Sequence, residues 1–102
     1  MATNKSEYKP TKNQKELLNL LGPEYSIKVI DLEPCIYRKI NENYDIEISG
    51  TLKKSQSIYV YVWDISRGIG NAACIVETVD NIKSHLHLKN IVEDLTKKYL
   101  DL

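Results

Sequence analysis

The stretch Ser57-Ile58-Tyr59-Val60-Tyr61-Val62-Trp63-Asp64-Ile65-Ser66 decides the fold. Its β-branched and aromatic residues fall on both alternating faces, and no helix-capping signal interrupts them, so it reads as the central strand of a sheet. Ile58, Val60 and Val62 point one way; Tyr59, Tyr61, Trp63 and Ile65 point the other. Each face therefore needs cover or a partner.

Upstream, Tyr44-Asp45-Ile46-Glu47-Ile48-Ser49 alternates strictly between apolar and polar residues, and Asn41-Glu42-Asn43 before it supplies turn chemistry. That pattern predicts a hairpin with the preceding segment. Tyr25 to Ile40 reads as one long strand or two short ones: Ile27 and Val29 alternate in one phase, whereas Ile30, Leu32, Ile36 and Ile40 alternate in the other. The phase change and Glu33-Pro34 predict a bulge or bend. Downstream, Arg67-Gly68-Ile69-Gly70-Asn71 turns the chain, and Ala72 to Val79 returns as an edge strand.

Helices flank this meander. Thr11 stands three residues before Gln14, the capping-box spacing, and Leu17, Leu18, Leu20 and Leu21 follow before Gly22-Pro23 stops the helix. At the other end Leu88, Ile91, Val92, Leu95, Tyr99 and Leu102 fall on one helical stripe, with Asp80 and Ser84 as candidate caps. Ile82 and Leu86 are expected to pack as part of the approach to this helix. Glu93 with Lys97, and Asp94 with Lys98, have ion-pair spacing. The expected architecture is α+β: an antiparallel meander of four to five strands, a short N-terminal helix and a C-terminal helix packed on the sheet. Residues 1–10 read as a flexible tail and residues 11–102 as a single domain, a size that buries a two-layer core without disulfides or metal.

Composition narrows the function classes. Acidic and basic residues balance at 14 each and no segment departs from neutrality by more than about three charges, so no nucleic-acid-binding arm exists. The apolar runs are too short for a membrane span and the start of the chain lacks a signal-peptide core, which predicts a cytoplasmic protein. Cys35 and Cys74 are then expected to be reduced, buried small hydrophobes.

The chemical motifs weaken on inspection. His85 and His87 at a helix entrance diverge by about 200°, and no third metal ligand stands nearby in sequence. Cys74 with either histidine lacks a positioned third group. The Arg67 to Asn71 loop leads into a strand pattern rather than a helix, so it lacks the amide array that cradles phosphate. Asp45, Glu47 and Glu77 alternate with Ile and Val as any solvated strand face does. No catalytic residue, metal ligand or cofactor is therefore expected.

What remains is the row Tyr59, Tyr61 and Trp63, together with Tyr37 from the strand before the Tyr44–Ser49 segment. If Ile58, Val60 and Val62 lie under the C-terminal helix, these rings occupy the less covered side; if the N-terminal helix crosses that side, they are sealed. Exposed, they suit a protein partner, since Tyr and Trp are favoured interface anchors. Single-stranded nucleic acid also stacks on such rows, but Asp45 and Glu47 beside them and zero net charge weigh against it. The leading reading is a small non-catalytic protein-interaction module, with Tyr37, Tyr59, Tyr61 and Trp63 or the Ala72 to Val79 edge as the contact surface. Self-association through that edge is a close variant. The alternatives are single-stranded nucleic-acid binding on the aromatic face, and a small enzyme or ligand-binding domain without a recognisable motif.

The segments Glu33-Pro34-Cys35-Ile36-Tyr37-Arg38-Lys39-Ile40, Tyr44 to Gly50, Ile58 to Trp63 and Ile75-Val76-Glu77-Thr78 together resemble small uncharacterised proteins of low-GC Gram-positive bacteria and their mobile elements. Lysine outnumbers arginine 12 to 2, a usage that fits the AT-rich codons of such genomes and their phages. The resemblance implies no site and no activity. It implies a setting in which short proteins are inhibitors, adaptors or accessory factors.

Overall fold

A computed structural model describes residues 8–68 and 72–102. The element order is α1 (Lys12–Leu21), β1 (Ser26–Ile30), β2 (Glu33–Lys39), β3 (Tyr44–Ser49), β4 (Tyr59–Asp64), β5 (Cys74–Val79) and α2 (His85–Leu100). The strands form one antiparallel meander in the order β1-β2-β3-β4-β5. The fold is α+β as the pattern predicts, but the middle strand is β3. β4 lies one place in from the β5 edge.

The segment from Tyr25 to Ile40 resolves into two strands, joined at Asp31-Leu32 with φ of 50° and 69°. Two central residues at positive φ match the right-handed twist of a hairpin, and pairing Ile27 with Ile36 across a two-residue turn reverses the alternation phase. The phase change is thus a turn and not a bulge. Leu32 at its tip is 95% exposed. The β2–β3 hairpin forms as expected: Asn41 Oδ1 accepts from the backbone N–H groups of Asn43 and Tyr44.

One sheet face carries Ile36, Ile46, Ile48, Val60 and Val62, all buried in one cluster with Leu17 of α1 and Leu88, Val92, Leu95 and Tyr99 of α2. Both helices therefore lie on the same side, where they contact each other. Arg38 also faces this layer, opposite Ile46, with its guanidinium carbon 5.5 Å from the Tyr25 ring centroid.

Gln14 pins α1 in place. Its amide oxygen accepts from Thr11 N, which closes the capping box, and from the Tyr8 hydroxyl; its amide nitrogen donates to Pro34 O and Thr51 Oγ1. A buried amide with four satisfied bonds fixes a helix more sharply than leucine packing alone. The expected tail at 1–10 falls mostly outside the described residues, and its described end, Tyr8, is tied to Gln14 by this bond.

α2 begins after Ser84, whose hydroxyl accepts from His87 N. Ile82 packs on the core as expected, whereas Leu86 and Leu102 are exposed. The expected pairs Glu93–Lys97 and Asp94–Lys98 give way to Lys89–Glu93 and to Lys98–Glu77, because Glu77 of β5 lies within reach of Lys98 and Tyr99.

Candidate interaction face and its acidic hollow

Among the described residues, no helix lies over the other sheet face. Cross-strand register places Tyr37 opposite Glu47, Asp45 opposite Trp63, Glu47 opposite Tyr61, and Ser49 opposite Tyr59. Since side chains alternate along each strand, all four aromatic residues singled out in the sequence share this face with Asp45 and Glu47. Tyr59 is 39% exposed and stacks on Tyr61 at 6.4 Å between centroids, while Tyr37, Tyr61 and Trp63 are half-buried. Ile75 and Thr78 of β5 extend the same face toward the edge.

Asp45 and Glu47 are not the solvated carboxylates that alternation suggests. They are 6% and 9% exposed, because the side chains of the flanking strands lean over them. Trp63 donates its indole N–H to Glu47 Oε1 at 2.9 Å, and the Cys35 thiol reaches Glu47 Oε2 at 3.8 Å. The Tyr37 phenol lies close to Asp45. Burial lifts both carboxyls above their ordinary range; these donors, and Lys28 and Lys39 near Asp45, pull in the opposite direction without cancelling it. The same burial, with Glu33 and Glu47 nearby, pushes the Cys35 thiol up to about 12, and burial with the Asp45 contact raises the Tyr37 phenol.

Above the two carboxylates opens a hollow of about 420 Å³, within the size range of small-ligand sites, walled by Tyr37, Trp63, Lys28 and Ile65. Lys28 holds its ammonium 4.3 Å from the centroid of the Tyr37 ring. Glu77, grouped with Asp45 and Glu47 by sequence alternation, faces the helices instead. There Tyr99 and Lys98 hold its carboxyl below the ordinary range.

The remaining sequence candidates separate. His85 Nε2 lies 3.0 Å from Asn13 Oδ1, which requires a proton on that nitrogen, and His87 Nδ1 accepts from Lys83 N. The two rings are thus engaged in packing α1 and α2 and in closing the start of α2. Among the described residues no three His, Cys, Asp or Glu side chains gather in a way that suits a metal ion, and no helix is long and apolar enough to cross a membrane. Both cysteines are free; Cys35 is buried as expected, but Cys74 is exposed, because it opens the edge strand β5. Ile69, Gly70 and Asn71 of the glycine-containing turn lie outside the described residues, and strand β5 follows them.

The acidic hollow is what sequence reasoning missed. Its only signal is the pairing of two acidic residues with Trp and Tyr in adjacent strands, which is invisible until register is known. No protein-family model matches this chain, and no curated protein or solved structure matches it.

Proposed function

We propose that this chain is a small non-catalytic protein-interaction module, an accessory or inhibitory factor of a phage or mobile element, that meets its partner through the helix-free sheet face. The observation that carries this reading is the placement of both helices on one side, which leaves Tyr37, Tyr59, Tyr61 and Trp63 together on the other. Aromatic side chains with an apolar body and a polar tip are the residues that anchor protein interfaces. The mobile-element setting rests on the sequence resemblance alone.

The same geometry weighs against single-stranded nucleic acid. Asp45 and Glu47 occupy the middle of the aromatic face, where a phosphate backbone needs cations. The β5 edge supports a second mode of contact, pairing with another copy of the chain. Cys74, Ile75 and Val76 are exposed there, and the only charge of the strand, Glu77, is already bound by Lys98.

Capture from a bacterial lysate tests the main reading, with Tyr59→Ala and Tyr61→Ala compared with wild type and with Leu86→Ala, an exposed change on α2. A partner retained by wild type and Leu86→Ala but lost by both tyrosine variants supports the face. Retention by all of them removes it. Light scattering over a concentration series tests the edge, and a strict monomer removes that mode.

A further inference from the structure

The floor of the helix-free face holds two carboxylates that form no ion pair among the described residues, although Lys28 and Lys39 lie near Asp45. Asp45 and Glu47 are both more than nine-tenths buried, and the ion pairs among the described residues, Lys89–Glu93 and Lys98–Glu77, involve neither. The donors to Glu47 are neutral, the Trp63 indole and the Cys35 thiol, and so is the Tyr37 phenol close to Asp45. A carboxylate offers about four acceptor sites, so these bonds leave capacity unused. Glu47 has acids rather than a cation beside it, Glu33 and Asp31, and Asp45 has only the unpaired Lys28 and Lys39; burying carboxylates with so little opposite charge is costly, and the hollow above them is where more would fit.

The walls favour a particular kind of cation. Trp63 and Tyr37 present aromatic rings, whose electron-rich faces attract positive charge. Lys28 already demonstrates that attraction within the molecule, 4.3 Å from the Tyr37 ring centroid. A guanidinium matches the whole constellation better than an ammonium does. It is planar and stacks on rings, sheds water more readily, and directs five N–H donors in a fixed fork toward two carboxylates on one strand face.

We propose that the hollow over Asp45 and Glu47 receives the guanidinium of an arginine side chain presented by the protein partner. This rests on the reading of the helix-free face as the contact surface. The arginine would lie against Trp63, with its fork on the two carboxylates, while Lys28 stays over Tyr37 and opposes its entry as a like charge. Arginine thus anchors the centre of the contact, and Tyr59 and Tyr61 form its flank.

Trp63 is the only tryptophan, so its fluorescence and its indole N–H resonance report on the hollow without a label. The full chain is titrated with capped Gly-Arg-Gly, Gly-Lys-Gly and Gly-Gln-Gly. The expected result is a saturable indole shift with the arginine peptide, and binding of the neutral peptide about tenfold weaker or worse. Asp45→Asn with Glu47→Gln weakens the arginine peptide by about tenfold, whereas Lys28→Met, a change at an exposed residue, tightens it several-fold. A merely structural acid pair does not predict that gain. Equal response to the neutral peptide, or indifference to both the double variant and Lys28→Met, overturns the proposal; tighter binding of the lysine peptide overturns the choice of arginine. Should the arginine peptide fail while capture still depends on Tyr59 and Tyr61, the cation site falls and the interface reading stands. Should the peptide bind while capture ignores both tyrosines, the interface reading falls, and with it the partner as the source of the arginine.

Discussion

Trp63 donates its indole N–H to the Glu47 carboxylate at 2.9 Å, reaching diagonally from β4 to β3 across the helix-free face. The bond couples an interface-type aromatic to a buried acid. Trp63 shields Glu47 from water and supplies its best donor, and Glu47 in turn fixes the ring plane that walls the hollow. Neither residue is explained without the other.

Removing the indole donor should therefore cost stability beyond the lost ring area. Trp63→Phe leaves Glu47 buried with only the weak Cys35 thiol on its other oxygen, a loss of about 1–3 kcal/mol. Adding Glu47→Gln should recover part of that loss, because the neutral amide tolerates the missing donor. Urea denaturation of the two single variants and the double variant measures the coupling. Simple additivity would mean that the bond contributes nothing.

The two buried carboxyls should give the fold an unusual pH profile. Both are raised by burial, so between the unfolded values of 3.8 and 4.5 and their higher folded values the native state binds more protons than the unfolded chain. Stability from these groups is complete below the unfolded values and is lost as pH rises through the folded ones. Asp64 and Glu77 act oppositely: hydrogen bonds from Ser66 to Asp64, and from Tyr99 and Lys98 to Glu77, lower their carboxyls, and that stabilisation is lost as pH falls. Asp45→Asn with Glu47→Gln should thus gain stability relative to wild type as pH rises from the unfolded values of 3.8 and 4.5 through the higher folded ones. Denaturation midpoints across that range, with both chains in the same buffers, check it. A constant difference would show that neither carboxyl is raised.

Much of this layout was legible in the chain because local chemistry and register agreed. Thr11 and Gln14 announce α1, Asn41 to Asn43 announce the β2–β3 turn, and the alternation of Ile46 and Ile48 marks the face under the helices. The β1–β2 turn was hidden because Asp31 and Leu32 adopt positive φ without a glycine to signal it. β4 resembled the middle strand because its second face is aromatic, yet that face is the uncovered one; the true middle strand, β3, carries Asp45 and Glu47. Polar identity concealed its depth. Burial there comes from Trp63 and Tyr37 on neighbouring strands, a tertiary effect that alternation along one strand cannot contain.

The two thiols should react very differently. Cys74 is exposed at the start of β5, whereas Cys35 is 1% exposed and its thiol is pushed up to about 12, mainly by burial and then by Glu33 and Glu47. Thiolate, not thiol, attacks alkylating reagents. Iodoacetamide at neutral pH should add one group to the native chain and two to the urea-unfolded chain, read by intact mass and assigned by peptide mapping. Rapid double modification of native protein would place Cys35 elsewhere.

Two glycines separate backbone strain from steric overlap. Gly50 follows β3 at φ 73°, and a Cβ there would stand 1.9 Å from Ser57 O; Gly68 has φ 112°, but among the described residues nothing lies within 4 Å of the same added atom. Both substitutions to alanine force an L residue into a conformation it rarely adopts, a cost of about 1 kcal/mol or somewhat more. Only Gly50→Ala must also displace the backbone leading into β4, whose next residue, Ile58, is part of the core. Its own N–H donates to Glu33 Oε2 at 2.9 Å, so a shift of Gly50 away from Ser57 disturbs that bond too. Gly50→Ala should therefore destabilise the fold by about 2–4 kcal/mol, and Gly68→Ala by clearly less. Thermal melts of the two variants decide it: similar losses would mean that the loop from Gly50 to Ser57 yields freely, and that the entry to β4 is not fixed by this close approach.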